Sequence, residues 1–177
     1  MLSKKMEKAL NDQVNAEMYS SYLYLSMASY FGDLNLAGCV SWMKIQALEE
    51  MTHAMKFFNF IDERGGRVKL GTIEQPPIEW KSPLDAFEGV LEHERHVTGL
   101  VNNLVTMALE EKDHATNNFL QWFVGEQVEE EATADGVVHT LKLAGEQGNG
   151  LFMIDRELGT RTFVIPPDVK IPGLAGA

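Results

Sequence analysis

Glu50 and His53 stand three residues apart in Leu48-Glu49-Glu50-Met51-Thr52-His53, inside a run from Leu36 to Arg64 patterned as one apolar-seamed helix. Residues three apart share a helical face, so a carboxylate and an imidazole project together into what the flanking apolar residues mark as core. Burying such groups is costly unless something satisfies them. A metal ion is a common partner for a Glu-x-x-His pair. A single pair also arises by chance on amphipathic helices. What decides is whether other helices bring matching groups to the same height.

The spacing predicts four long helices. Ser3 can cap the first, from Lys4 to about Phe31, with the inner seam Met6, Leu10, Gln13, Glu17, Ser20, Tyr24, Met27, Phe31. Steps of four and three alternate along it, the packing pattern of a left-handed bundle. Tyr19, Tyr22, Leu23 and Leu25 make this helix apolar on more than one face, and subunit contact is the simplest partner for the extra one. Asn35 is the expected cap of the second helix, Leu36 to about Arg64, whose seam is Leu36, Cys39, Met43, Gln46, Glu50, His53, Phe57, Phe60. Gly65-Gly66 ends it.

Residues 66–82, with Pro76-Pro77 and Trp80, form a non-helical stretch. A helix of this length is about 42 Å long at 1.5 Å per residue, and the extended stretch can reach about 56 Å. It can therefore cross over to join helices that point the same way. Ser82-Pro83 then opens a third helix with the seam Leu84, Phe87, Leu91, Glu94, Val97 or Thr98, Val101, Leu104, Ala108. After a break near Lys112-Asp113, a fourth runs from about His114 to Ala144 through Leu120, Phe123, Gln127, Glu130, Ala134, Val137, Leu141, Ala144. A glycine-rich loop is expected over Gly145 to Gly150, a short fifth helix over about 151–158, and a proline-bearing tail over 160–177.

Each seam turns polar near its middle: Glu17 in the first, Glu50 with His53 in the second, Glu94 in the third, Gln127 with Glu130 in the fourth. A residue midway along a helix lies near the middle of a bundle whichever way that helix points. Carboxylates converging in a dry core repel one another unless cations neutralise them. The competing account is a hydrogen-bonded network of acids or a register device. An oxygen-rich set with one imidazole suits Fe2+, Mn2+ or Zn2+. It also suits two ions bridged by a shared carboxylate, for which Glu50 is best placed.

The 177 residues suit one domain, 1–177, with the bundle over about 4–145. A net charge of −11 argues against nucleic acid as a partner and permits cations. No run is long enough to cross a membrane, and the N-terminus enters a patterned helix without a signal peptide, so a cytoplasmic location is expected. The single Cys39 excludes an intrachain disulfide or a CxxC module and reads as a small buried hydrophobe.

Up to about Leu158 the chain resembles the non-haem bacterial and archaeal ferritins. The resemblance rests on Asn15-Ala16-Glu17, Tyr19-Ser20-Ser21 through Tyr24, Glu49-Glu50-Met51-Thr52-His53, His93-Glu94, and Asn118 to Phe123 followed by Glu126-Gln127-Val128-Glu129-Glu130-Glu131. It implies an all-α, ferritin-like four-helix bundle with a long crossover and a short fifth helix, about 24 copies of which form a shell. The implied function is iron storage and detoxification. Fe2+ is oxidised by O2 or H2O2 through a bridged diferric state, and ferric oxyhydroxide mineral forms inside the shell.

The implied ferroxidase centre has a first iron at Glu17, Glu50 and His53. A second would sit at Glu50, Glu94 and Glu130 with Gln127 close by, and a third at Glu49, Glu126, Glu129 and Glu130. Tyr24, two turns beyond Glu17, would give redox or hydrogen-bonding help or simply pack; Trp122 is expected to pack. Gln127-x-x-Glu130 replaces the second Glu-x-x-His of bacterioferritins and rubrerythrins. The weaker second position suits iron that is passed on as substrate. Met51 falls where bacterioferritins carry a haem-ligating methionine, yet without the second pair haem is not expected. A haem-containing cage and a non-catalytic structural bundle are the alternatives. His93, His96, His114 and His139 read as packing or surface residues. Asn117 and Leu120 fall where animal ferritins have acidic pore residues, which puts that iron route in doubt.

Overall fold

The computed structural model describes residues 2–145 and 148–164. Among them are helices α1 (Lys4–Asp33), α2 (Ala37–Glu63), α3 (Pro83–Glu110), α4 (His114–Ala144) and α5 (Gly148–Leu158), and no strand. None of these helices is long and apolar enough to cross a membrane. The contacts gather into two compact units, one running through Glu79 and resuming at Phe152, the other Trp80–Leu151.

In the first unit α1 and α2 form an antiparallel pair. Ser3 Oγ accepts from Met6 N at 2.9 Å and so starts α1 as expected. Midway, Ser21 Oγ donates to Ala47 O at 2.7 Å, fixing the register of the two helices. Asn35 is not the cap of α2. Three residues must reverse the chain there, and Asn35 takes the left-handed conformation (φ 56°) that asparagine tolerates. Leu36 stands in the cap position and offers no side-chain hydrogen bond. The donor is met from α5 instead: Asp155 Oδ1 accepts from Cys39 N at 2.9 Å.

At the other end of α2, Gly65 (φ 71°) and Gly66 close the helix. Gly65 N donates to Asp62 O and Gly66 N to Ile61 O, both at 2.9 Å, the paired bonds of a glycine-terminated helix. The crossover then follows α1 in its own direction. Asn11 Nδ2 donates to Arg67 O and Asn11 Oδ1 accepts from Lys69 N. Further on, Asn15 Nδ2 donates to Thr72 O and Ser26 Oγ to Pro77 O. Backbone with no strand or helix partner is satisfied by side chains of α1. The chain thus returns to the end of the pair where α2 begins.

In the second unit Ser82 Oγ accepts from Asp85 N at 3.1 Å, with Pro83 at the first helical position. Lys112 (φ 56°) turns the chain, and Asp113 caps α4 through Thr116 N. Lys142 Nζ lies 2.7 Å from Glu88 Oε1, which places the end of α4 beside the start of α3. These two helices are also antiparallel. α5 starts at Gly148, one turn before the expected Leu151, and Gly145 takes positive φ (62°) at the end of α4. Residues 146–147 of the expected loop and 165–177 of the tail lie outside the described residues.

The eight seam residues of α1 are all buried. The later seams loosen at their ends. Leu36, Phe60, Leu84 and Ala144 are only partly buried, and Val138 takes the inward position assigned to Val137.

Candidate metal centre

Glu17 comes from the middle of α1, and Glu50 and His53 from the facing part of α2. Their side chains are within a few percent of full burial. One ligand atom from each lies within 4.8 Å of the others. His53 Nδ1 is 3.4 Å from Glu50 Oε2 and 4.0 Å from Glu17 Oε2. Gln13, one turn earlier, donates from Nε2 to Glu17 Oε1 at 2.8 Å. The other oxygen, Glu17 Oε2, is buried and receives no hydrogen bond. One oxygen of Glu50 and one of Glu94 also lack a donor, although both residues have other interactions. Buried polar atoms are nearly always satisfied in native proteins. A cation bound by two carboxylates and an imidazole would satisfy Glu17 Oε2.

The remaining expected residues fall into three groups. Tyr24 is fully buried on the same seam of α1. In the second unit Glu94, Gln127 and Glu130 are buried, and Thr98 Oγ1 lies 3.1 Å from Gln127 Oε1 and 2.6 Å from Glu131 Oε1. Of the third set, Glu126 is half-buried and Glu129 exposed. Glu49 is half-buried and receives Arg161 Nη2 at 2.6 Å. Trp122 packs edge-on against Phe123, ring centres 4.8 Å apart. Burial, and then the charge of His96, pushes the His93 pKa down to about 4, so this ring is neutral at physiological pH.

Four contributors were not anticipated from the sequence. Gln13 and Gln46 lie on the seams and were legible as buried, but their partners were not. Arg161 and Asp155 act from more than a hundred residues away along the chain. No local pattern signals a contact over that separation.

Two glutamates and a histidine converging from neighbouring helices define a helical protein with an oxygen-rich candidate metal centre. The ferritin-like domain family matches residues 7–144, and the chain belongs to the ferritin family. It is 51% identical over 161 residues to a bacterial non-heme ferritin of Bacteroides fragilis, covering 91% of this chain and 100% of that one. It is 46% identical over 156 residues to the bacterial non-heme ferritin of Campylobacter jejuni, covering 88% of this chain and 93% of that one. Among solved structures, an open pore ferritin from the hyperthermophilic archaeon Archaeoglobus fulgidus is 57% identical with a TM-score of 0.91. That match covers 92% of this chain and 100% of the other. The fold class is accordingly the ferritin-like bundle with a short fifth helix.

Proposed function

We propose that this protein stores and detoxifies iron as a ferroxidase, its two units acting together as one ferritin-like domain. The observation that carries the reading is the buried convergence of Glu17, Glu50 and His53, with Glu17 Oε2 lacking a hydrogen-bond donor. Iron is the substrate. Two carboxylates facing an ion where water is excluded favour the higher charge of Fe3+ over Fe2+, so binding itself drives oxidation.

A second Fe2+ shares Glu50 with Glu94 and Glu130, and Gln127 stands beside it. Each Fe2+ gives up one electron. O2 takes two electrons and two protons and leaves as H2O2, which can itself accept two more electrons from further Fe2+. The second position has no imidazole, so Fe3+ is held loosely there and moves on to hydrolyse to ferric oxyhydroxide, releasing protons. A third position at Glu49, Glu126, Glu129 and Glu130 lies on that route, and Tyr24 is placed to supply an electron. About 24 copies enclose the mineral. The surplus of acidic residues attracts the cation.

Adding Fe2+ to the iron-free protein in air should consume O2 in proportion to the iron added, faster than iron in buffer. Uptake no faster than in buffer would leave a helical bundle without redox chemistry.

A further inference from the structure

Arg161, three residues past α5, reaches back onto α2 with three contacts. Nη2 donates to Glu49 Oε2 at 2.6 Å, Nη1 donates to Gln46 Oε1, and the guanidinium carbon lies 4.8 Å from the Trp42 ring centre. Trp42, Gln46 and Glu49 follow one another at steps of four and three, a single stripe along the helix. The Arg161 and Glu49 side chains are only 23% and 17% exposed. An exposed ion pair is worth little. A guanidinium stacked on an indole while donating to an amide and a carboxylate is held on three sides, as arginine's flat fork permits. Asp155 anchors the same segment to the first turn of α2. The chain after α4 is therefore tied to α2 twice, the second time at the residue next to Glu50.

We propose that Arg161 is a positioning residue that holds Glu49 as a tethered counter-cation, and that iron reaches Glu49 only by displacing it. The inference rests on the reading of Glu49 as a carboxylate of the third iron position. A guanidinium and a divalent ion on one partly buried carboxylate repel each other strongly. While Arg161 is docked, the third position stays weak and does not trap iron moving away from Glu50. Iron at Glu49 and a docked Arg161 exclude one another.

The test is anaerobic titration of the assembled, iron-free protein with Fe2+ by calorimetry. Wild type should show two tighter equivalents per subunit and a weak third. Arg161→Gln should tighten the third about tenfold, the scale of a lost charged hydrogen bond, while leaving the first two in place. Adding Glu49→Gln to that variant should abolish the gain. A third equivalent unchanged in Arg161→Gln, or a gain that survives Glu49→Gln, would overturn the proposal. If Arg161→Gln fails to assemble, Arg161→Met decides, since it removes the charge and keeps an unbranched side chain to lie against Trp42. A tightened third equivalent there supports the displacement, and an unchanged one contradicts it. Failure of the di-iron reading looks different: the two tighter equivalents would be missing from wild type, or would persist in Glu50→Ala/His53→Ala.

Discussion

Gln13 donates to one oxygen of Glu17 from a turn earlier, which leaves the other oxygen to meet a cation. Gln13→Leu keeps the volume roughly and removes the donor. The metal-free protein should lose about 1–3 kcal/mol, the cost of an unsatisfied buried acceptor. An unchanged thermal or urea midpoint would show that Glu17 does not depend on it. Cys39 is fully buried, and burial followed by the nearby Asp155 carboxylate pushes its pKa from 9.0 to about 12. An unfolded thiol ionises near pH 9 while the folded one keeps its proton. The stabilisation this gives the folded state is whole below pH 9 and is lost as pH rises towards 12. Iodoacetamide at pH 8 should therefore label Cys39 only after unfolding, and Cys39→Ser should flatten the alkaline fall in stability. At this scale the buried polar residues of the candidate site were legible, because a polar residue on an apolar seam is conspicuous. Their partners were not: whether Gln13 meets Glu17, or Arg161 meets Glu49, depends on rotamers and helix rotation that periodicity does not specify.

α2 shows what decides the fate of an element. Helices with their own cap announced their starts, as Ser3 and Ser82-Pro83 did, and the glycine pair announced the end of α2. The start of α2 was misread because its cap is remote. Asp155 supplies it, and Gly38 makes room for α5 to come that close. A Cβ on Gly38 would fall 1.6 Å from Asp155 O, a clash with backbone that cannot swing away. Gly38→Ala should detach the end of α5, exposing amides around 152–158 to hydrogen exchange and lowering the melting temperature. Asp155→Ala, which removes only the cap, should cost about 1 kcal/mol. Unchanged protection in Gly38→Ala would refute the docking.

At the scale of the whole molecule, Tyr22 and Leu25 leave a second apolar face on α1, 51% and 48% exposed in a single chain. Leu25→Glu should lower the particle mass measured by sedimentation if that face is buried between copies. The four-helix plan was readable because seams, caps and the 66–82 crossover all agree with one bundle. The number of copies was not, since an outer face says only that something covers it. The central claim is that iron is oxidised where Glu17, Glu50 and His53 meet. Stopped-flow absorbance after mixing Fe2+ with aerated protein tests it directly in Glu50→Ala/His53→Ala. Outer partners of metal ligands are already worth about 10–100-fold, so removing two ligands should slow oxidation by more than that while far-UV circular dichroism stays helical. Oxidation at the wild-type rate in the double variant would contradict the assignment.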